Sequence, residues 1–181
     1  MASVWPSSRH LAGAMLEGLV FEPGDLIVEY GPGTGSFTEL IAARMSAIGG
    51  LQYLGIERSE EFLGILRERF PTMTFVHGRA EDAVAIVADR AARAPRAVVS
   101  GLPLIAMPTM EQIVSRTSEL LARPGAFHTF SYVHAQPTSG ARRLRAAMRE
   151  HFDLFTMGRP ILLNIPPAFV LRGRRLVQVP L

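Results

Sequence analysis

The sequence contains no cysteine and no lysine among its 181 residues. The missing thiol excludes disulfide bonds, thiolate nucleophiles and metal sites built from cysteine. All nineteen basic residues are arginine, which we attribute to a GC-rich coding sequence rather than to function. No apolar run reaches the roughly 18 residues that span a bilayer, and the first residues lack the pattern of a secretory signal. We therefore expect a cytoplasmic protein.

Positive charge is concentrated in the last part of the chain. From Gly140 onward, eight arginines accompany only Glu150 and Asp153, a balance of +6, whereas the rest of the chain carries −3. A basic surface of this kind suits phosphate groups, in nucleic acid or on an anionic membrane. The length and the 48% of hydrophobic residues predict one domain, residues 1–181, with a core of its own.

One segment, residues 29–35 (Glu-Tyr-Gly-Pro-Gly-Thr-Gly), combines three glycines with an acidic residue. It follows the apolar run 26–28, which predicts a buried strand, and precedes apolar residues at helical spacing from Phe37 to Met45. A strand, a glycine turn and a helix leave backbone N–H groups free where a polar ligand can approach the main chain. A glycine-rich turn without a ligand is the competing interpretation, because so short a motif also arises by chance.

The glycine spacing argues against a nicotinamide dinucleotide. That fingerprint is G-x-G-x-x-G, and counting from Gly31 its third glycine falls on Ser36. Counting from Gly33, the third glycine falls on Thr38. The dinucleotide pattern therefore fits in neither register.

An acidic residue two positions before a G-x-G-x-G turn resembles the first motif of class I S-adenosylmethionine-dependent methyltransferases. The resemblance implies S-adenosyl-L-methionine as cofactor and S-adenosyl-L-homocysteine as product. It also implies that Glu29 orients either the loop or the amino group of the cofactor. The turn residues that would contact the methionine part of the cofactor are Gly31, Gly33, Thr34 and Gly35.

A second carboxylate ends the next predicted strand. Residues 51–56 predict that strand, and Glu57 follows it, twenty-two residues after Gly35, where a βα unit places the tip of its second strand. A carboxylate there can accept both ribose hydroxyls, as in dinucleotide folds. We therefore assign Glu57 and the adjacent Arg58 to the cofactor site. The alternative is a solvated glutamate at the start of a charged helix.

Ligands of open α/β sheets bind beyond the carboxyl ends of the strands, which draws attention to the residues after strand three. Methyltransferases often have an acidic residue directly after the glycine at this point, to accept the adenine amino group, but here that position is Arg79. The resemblance passes the role to Glu81 or Asp82, with the backbone near Ala80 completing the pocket. Either acid could instead simply favour the start of the next helix.

Strand four ends in residues 100–104 (Ser-Gly-Leu-Pro-Leu). In amino-methyltransferases a tight turn at this place accepts hydrogen bonds from the substrate amine, which makes Ser100, Gly101 and Leu102 candidate catalytic residues and Ser100 also a cofactor contact. An alkyl amine with a pKa of about 10 must lose a proton before it can attack. Adenine N6-methyltransferases end this turn in an aromatic residue that stacks on a flipped base. Leu104 takes that place here, which argues against a nucleobase.

The pattern along the chain alternates strands with helices, which predicts a doubly wound parallel sheet. Two strand-like stretches at the end, 154–163 and 168–179, have no helix between them and predict an antiparallel hairpin. The fold class is therefore α/β, a Rossmann-like seven-stranded sheet, mostly parallel, with a C-terminal hairpin. The other predicted strands are 26–28, 51–56, 73–76, 97–99 and 126–132, and the predicted helices include 9–20, 58–70, 81–94, 108–123 and 141–151.

Five segments together resemble the bacterial phospholipid N-methyltransferases, which are similar in fold to rRNA adenine dimethylases. The segments cover nearly the whole chain: residues 6–8 (Pro-Ser-Ser), 29–35, 100–104, 130–132 (Phe-Ser-Tyr) and 164–168 (Asn-Ile-Pro-Pro-Ala). Members of this family methylate the headgroup of phosphatidylethanolamine in up to three steps toward phosphatidylcholine. An RNA adenine or protein N-methyltransferase, and an S-adenosylmethionine-binding module without catalysis, are the alternatives.

The phospholipid resemblance also implies the substrate side of the site. Tyr132 would line the headgroup pocket, and Asn164 with Pro166 would form its far wall. An aromatic wall suits a product that becomes a quaternary cation, although Tyr132 could instead be a core residue. The five histidines show no metal-ligand spacing, so we expect no metal, and His134 is the one considered as a proton acceptor.

The family usually has an amphipathic helix ahead of the Pro-Ser-Ser segment, but here only residues 1–5 precede it. Either that anchor lies outside this sequence, or membrane contact relies on the arginine-rich end and on apolar residues such as Trp5. We expect a phospholipid substrate and peripheral association with the anionic inner face of the cell membrane. Nucleic acid is not an expected partner.

Overall fold

The structure, a computed structural model, describes residues 7–91 and 93–177. Their seven strands join one sheet: β1 (Leu26–Tyr30), β2 (Gln52–Glu57), β3 (Thr74–His77), β4 (Ala97–Ser100), β5 (Gly125–Tyr132), β6 (Leu154–Met157) and β7 (Ala168–Arg175). Their six α-helices are α1 (Arg9–Leu16), α2 (Ser36–Ile48), α3 (Glu60–Arg69), α4 (Ala83–Arg90), α5 (Met110–Leu120) and α6 (Ser139–His151). Single 3₁₀ turns follow β3, β4 and β5, at Ala80–Asp82, Leu104–Ala106 and Val133–Ala135.

The strand order is β3-β2-β1-β4-β5-β7-β6, and β1 to β5 run parallel. Their carboxyl ends therefore lie along one edge of the sheet, called the carboxyl edge below. The order reverses at β1, where Tyr30 pairs with Ile56 of β2 on one side and with Ser100 of β4 on the other. Such a reversal opens the crevice in which α/β folds bind their ligands.

The predicted antiparallel hairpin is confirmed, with a correction to both strands: β7 ends at Arg175, so that residues 176–177 lie outside it, and β6 is shorter than predicted. β7 lies between β5 and β6 and pairs with β5 along its whole length, so that Ala168 is opposite Tyr132. β6 ends at Met157 instead of continuing to residue 163. Pro160 has no N–H group to extend the ladder. Residues 158–167, the β6–β7 loop, therefore lie at the carboxyl edge beside the end of β5.

Helices cover both faces of the sheet. α1, α2 and α3 pack on one face, and α4, α5 and α6 pack on the other. Neighbouring side chains of a strand alternate between the two cores, so that Ile27 belongs to the first and Val28 to the second. Burial on both faces explains why the central strands β1 and β4 are almost continuously apolar. Glu29 is the exception in β1, a carboxylate in a wholly buried strand.

Several helix boundaries differ from the predicted ones. α1 ends at Leu16, where Glu17 becomes extended and Gly18 takes a φ of 73°. The helix predicted over 81–94 begins as the 3₁₀ turn and is α-helical only over Ala83–Arg90. α6 begins at Ser139 because Thr138 caps it, accepting an N–H from Ala141.

Some predicted features fall outside the described residues, among them Trp5, Pro6 and the end of the last predicted strand, 178–179. Among residues 7–91 and 93–177, no helix has the length and apolar character of a membrane-spanning segment.

Candidate active site

The glycine turn lies at the carboxyl end of β1 and leads into α2. Gly31, Gly33 and Gly35 have φ angles of 63°, 57° and 92°, a region that residues with a Cβ atom rarely enter. Gly35 is the N-cap of α2. No atom lies within 4 Å of the place that a Cβ of Gly33 would occupy. The tip of the turn is therefore open to a ligand.

The turn after β1 lies directly against the turn after β4. The N–H of Gly101 donates to the carbonyl of Tyr30 at 2.8 Å. A Cβ on Gly101 would be 2.7 Å from the carbonyl oxygen of Gly31, and a Cβ on Gly31 would overlap the side chain of Leu102. The backbone contact therefore requires glycine at Gly101, while the φ of 63° and the side chain of Leu102 favour glycine at Gly31. The predicted cofactor turn and the predicted amine turn are thus in contact.

Glu29 is completely buried on the face covered by α2. Its Oε2 atom accepts hydrogen bonds from the hydroxyls of Tyr53 at 2.7 Å and Thr38 at 2.8 Å, which link β1 to β2 and α2. Its Oε1 atom has no hydrogen-bond partner among the described residues. A buried polar atom without a partner is unfavourable. The site therefore fits a ligand that brings a donor or a positive charge.

Burial also raises the pKa of Glu29 from its ordinary 4.5 to about 7, against the effect of the two hydroxyl donors, which lower it. The nearby carboxylate of Glu57 adds to the rise. Near neutral pH the group can therefore be a neutral acid or an anion. A cationic ligand group would favour the anion.

Glu57 lies beside the glycine turn and accepts a hydrogen bond from its main chain. Its Oε2 atom accepts the N–H of Gly33 at 3.0 Å, and its Oε1 atom accepts the N–H groups of Arg58 at 2.8 Å and Ser59 at 2.9 Å. The carboxylate thus joins β2, the start of α3 and the turn after β1. A carboxylate oxygen can accept two hydrogen bonds, so Oε2 keeps capacity for a ligand hydroxyl.

Of the two acids after β3 that are predicted to accept the adenine amino group, Glu81 already accepts hydrogen bonds within the protein. Oε1 of Glu81 accepts hydrogen bonds from Arg79 at 3.0 Å and from the hydroxyl of Thr109 at 2.7 Å. Partial burial opposes ionisation, but these donors hold the pKa of Glu81 below its ordinary value. Ala80 is buried in the 3₁₀ turn, and Asp82 is exposed and makes no capping hydrogen bond to α4. Among the described residues, Oε2 of Glu81 is left for a ligand.

The turn after β4 presents main chain rather than side chains. Ser100 is fully buried, and its Oγ atom accepts the N–H of Leu102 at 3.3 Å. The carbonyl of Leu102 accepts the N–H of Leu104 at 2.9 Å. Leu104 is fully buried and packs in the core shared with α5 and α6. It is therefore not available to a substrate base.

Tyr132 stands at the end of β5, which runs on beyond the end of β4. Its half-buried ring packs edge-on against Phe130 and face to face with His134, with both centroid distances at 5.5 Å. Its hydroxyl makes no hydrogen bond within residues 7–91 and 93–177. One side of the ring therefore belongs to the core, while the remainder is available at the carboxyl edge.

Asn164 is buried in the middle of the β6–β7 loop and binds two distant parts of the chain together. Its Oδ1 atom accepts the N–H of Ser8 at 2.9 Å, and its Nδ2 atom donates to the carbonyl of Pro166 at 2.7 Å. The loop is further fixed to the end of β5, since the N–H of Val133 donates to the carbonyl of Pro167 at 2.8 Å. Both ends of the amide are thus engaged in shaping the loop.

The histidines do not form a metal site in the described part of the chain, where no group of three or more potential metal ligands lies together. His128 is buried below α1, where its Nδ1 atom lies 2.8 Å from the carbonyl of Met15. Burial lowers the pKa of His128 to about 4, so the ring is neutral at neutral pH. Its role is to join α1 to β5.

The same fold occurs in known methyltransferases. Precorrin-6y C5,15-methyltransferase from Geobacter metallireducens matches 97% of this chain and 92% of its own, with a TM-score of 0.73 and 12% identity. Fibrillarin from Aeropyrum pernix, solved with natively bound S-adenosyl-L-methionine, matches 90% of this chain and 73% of its own, with a TM-score of 0.64 and 17% identity. At such identities the likeness shows the fold alone. No protein-family model matches the chain.

A sequence relative decides the family. The ornithine lipid N-methyltransferase of Singulisphaera acidiphila is 32% identical over 172 residues, which cover 93% of this chain and 85% of the relative. This chain belongs to the same family of lipid N-methyltransferases. It is a class I S-adenosylmethionine-dependent methyltransferase, as the glycine motif and the strand order predict, and S-adenosylmethionine is its cofactor. The narrower resemblance to phospholipid methyltransferases stays a prediction.

The sequence did not reveal which residues hold the predicted site residues of this methyltransferase in place by hydrogen bonds. Tyr53 and Thr38 donate hydrogen bonds to Glu29. The sequence feature that indicates this arrangement is Gly55. A Cβ there would be 2.7 Å from the hydroxyl of Tyr53, and a glycine inside an apolar strand marks such a close approach. Thr109, which holds the acid after β3, lies 28 positions away from it and had no signal.

Replacing Glu57 by alanine is expected to weaken the binding of S-adenosylhomocysteine by about 1–3 kcal/mol, because charged hydrogen bonds at the turn and the predicted ones to the ribose are lost. Isothermal titration calorimetry measures the change. Glu60→Ala is the matched control, since Glu60 lies three residues further on with a side chain that is 85% exposed. Equal affinities of Glu57→Ala and the wild type would argue against the assignment.

The buried acid also makes the stability depend on pH. The pKa of Glu29 is about 7 in the folded protein and 4.5 ordinarily, so the unfolded chain releases this proton first as the pH rises. Its contribution to the free energy of unfolding is therefore complete below about pH 4.5 and is lost as the pH rises through about 7, by up to roughly 3 kcal/mol. Glu29→Gln is expected to remove this loss.

Urea unfolding of the wild type and Glu29→Gln across this pH range tests the expectation. The difference between the two proteins isolates Glu29 from His128, whose lowered pKa makes stability fall on acidification instead. Glu39→Gln is the control, because the side chain of Glu39 is 56% exposed. Identical pH profiles for Glu29→Gln and the wild type would show that Glu29 is not a buried acid of raised pKa.

Proposed function

We propose that this methyltransferase transfers methyl groups to the amine of a membrane-lipid headgroup, and that phosphatidylethanolamine and its mono- and dimethyl derivatives are its substrates on the way to phosphatidylcholine. The observation that carries the proposal is the relative that is 32% identical over 93% of the chain, which is named for N-methylation of a lipid. The five motif segments that resemble phospholipid N-methyltransferases favour phosphatidylethanolamine in particular.

We assign the cofactor to the turns at the carboxyl edge of β1 to β4. When bound, it supplies an electrophilic methyl group on a sulfonium. The open space before Gly33, the unpartnered Oε1 atom of Glu29 and the spare acceptor capacity of Glu57 support this assignment. The full proposed set is Glu29, Gly31, Gly33, Thr34, Gly35, Glu57, Arg58, Ala80, Glu81 and Ser100.

We assign the substrate amine to the turn after β4. The amine must be neutral to attack, and an acceptor that holds its N–H aims the lone pair at the methyl group. Ser100, Gly101 and Leu102 form this turn, and the carbonyl of Gly101 accepts no hydrogen bond from the described residues. Because Gly101 touches the glycine turn, an amine held there lies next to the cofactor turn.

Tyr132, Asn164 and Pro166 form the proposed headgroup pocket. A ring next to the amine stabilises the growing positive charge by about 0.5–2 kcal/mol. Asn164 and Pro166 form the far wall of this pocket. They give the pocket its shape and do not bind the headgroup through the Asn164 amide, since both ends of that amide are hydrogen-bonded within the protein. His134, stacked on Tyr132, is the candidate for the group that takes the proton of the amine.

The relative supports an ornithine lipid as a second candidate substrate. An ornithine headgroup offers an alkyl amine, as phosphatidylethanolamine does, so the same turn could hold either one. RNA adenine is the less favoured alternative, because Leu104 is a buried aliphatic residue where a stacking ring would be needed. The basic helix α6 suits an RNA or protein substrate, so both classes are included in the test. Peripheral attachment to an anionic membrane is part of the proposal.

Tyr132→Ala is expected to lower kcat/KM for lipid methylation by about 2- to 30-fold, the range that the loss of a cation–π contact predicts. The affinity for S-adenosylhomocysteine and the unfolding midpoint should stay close to wild type. Tyr132→Phe is the matched control, and it should retain activity because the ring, and not the hydroxyl, carries the effect. Unfolding of Tyr132→Ala would instead assign the ring to core packing, and inactivity of Tyr132→Phe would assign the role to the hydroxyl.

Radiolabelled S-adenosylmethionine should label phosphatidylethanolamine in anionic vesicles and leave RNA and protein fractions nearly unlabelled. Phosphatidylcholine is the control lipid, since its nitrogen has no hydrogen to replace. Label in ornithine lipid alone would select the second candidate. Robust label in RNA, with none in either amino lipid, would overturn the proposed function.

A further inference from the structure

The β6–β7 loop exposes three large aliphatic side chains within four positions. Leu162 is 70% exposed, Leu163 is 68% exposed and Ile165 is 82% exposed. Single apolar residues on a surface are common, but a contiguous group of this kind marks a site of interaction. None of the three takes part in the cofactor or headgroup assignments above.

Internal hydrogen bonds hold these side chains outward. Asn164, in the middle of the group, is only 3% exposed and is bonded to Ser8 and Pro166. The N–H of Ile161 donates to the carbonyl of Ala168 at 2.8 Å and closes the base of the loop. A loop that buries its amide and exposes its aliphatic neighbours inverts the usual distribution. An apolar environment outside the protein would restore it.

The loop lies beside the substrate side of the site. Ala168, which directly follows the loop, pairs with Tyr132, and the N–H of Val133 donates to the carbonyl of Pro167. The aliphatic group is therefore adjacent to the proposed headgroup pocket and on the same edge of the sheet. A lipid that enters this pocket must keep its acyl chains in an apolar phase next to the loop.

The charges around the loop are mostly positive, since the one acid in the cavity beside Arg159, Glu17, is paired with Arg172 at 2.7 Å. Arg159 is exposed within the loop, and the exposed Arg9 begins α1, whose N-cap Ser8 is bonded to Asn164. The sequence has no acidic residue after Asp153. Aliphatic residues that enter the headgroup region next to arginines that pair with phosphates are the combination that binds anionic bilayers.

We propose that the β6–β7 loop inserts Leu162, Leu163 and Ile165 into the headgroup region of an anionic bilayer, with Arg9 and Arg159 against the lipid phosphates. The insertion places the carboxyl edge on the membrane, so that headgroups enter the pocket from the bilayer. The choice of a bilayer as the occupant rests on the proposed function.

The test compares two triple variants. The loop variant carries Leu162→Ser, Leu163→Ser and Ile165→Ser. The control variant carries Val20→Ser, Leu176→Ser and Val177→Ser, which removes three aliphatic side chains that are 72%, 48% and 60% exposed. Val20 and Leu176 lie beside Gly125 and Ala97, where β5 and β4 begin, and thus at the opposite edge of the sheet.

Flotation with vesicles of phosphatidylethanolamine and phosphatidylglycerol measures binding. The loop variant should bind about tenfold more weakly than the wild type, or weaker still, because three aliphatic side chains no longer leave water. The control variant should bind like the wild type. In 1 M salt the Debye length falls to about 3 Å, so the attraction of the arginines is screened. At this salt concentration the wild type should still bind through its aliphatic side chains, whereas the loop variant should not bind.

Methylation of dihexanoyl phosphatidylethanolamine below its critical micelle concentration separates membrane binding from chemistry. The loop variant should methylate this monomeric lipid within about twofold of the wild-type rate and lose activity on vesicles in proportion to its lost binding. Equal vesicle binding by the loop variant and the wild type would overturn the inference and leave lipid methylation intact. A wild type that binds vesicles through the loop but methylates no lipid would overturn the proposed function alone.

An exposed apolar surface can also bind a second copy of the chain, and analytical ultracentrifugation tests for this. Wild type and loop variant should sediment alike. If the loop variant alone dissociated from an oligomer, with unchanged vesicle binding, the loop would be an interface between copies and the inference would be wrong.

Discussion

The contact between the turns after β1 and β4 is the constraint on which the site depends. A Cβ on Gly101 would be 2.7 Å from the carbonyl oxygen of Gly31, and a Cβ on Gly31 would meet the side chain of Leu102, the residue after Gly101. The contact occurs where the strand order reverses, so the two turns line the same crevice. Two neighbouring, hydrogen-bonded strands hold both turns, so the proposed sites for methyl donor and acceptor are positioned by rigid elements rather than by a moving loop. Rigid placement of this kind is how proximity contributes to rate.

Glu29 shows what the site requires of the core around it. A strand buried on both faces would be more stable with an aliphatic residue at this position, because burial disfavours the carboxylate. Tyr53 and Thr38 satisfy one oxygen and leave the other without a donor among the described residues. Glu29 is thus a polar residue in an apolar strand, and two hydroxyl groups stabilise it there. Such local conflicts with the surrounding core occur at functional sites.

The sequence predicted the parts of this protein that depend on short-range pattern. The glycine turn, Glu57 and the order of strands and helices follow from spacing and periodicity, and the sheet confirmed the fold. The predicted length of β6 was wrong, because the apolar residues 161–163 beyond Pro160 resemble a continuation of the strand that ends at Met157. The contact of Asn164 with Ser8 joins residues 156 positions apart, and no local pattern encodes such a pairing. The residue assignments themselves remain predictions.

The position of β7 has a consequence for how the chain folds. β7 is the last strand in the sequence, yet it lies inside the sheet, between β5 and β6. Until it is synthesised, the eight-residue edge of β5 has no partner on that side, and unpaired edges of this length invite association with other chains. The strands that carry the glycine turn, β1 to β4, emerge from the ribosome well before. The half of the sheet with the glycine turn can therefore assemble early, while the β6–β7 loop beside Tyr132 takes its place only once the C-terminal residues insert.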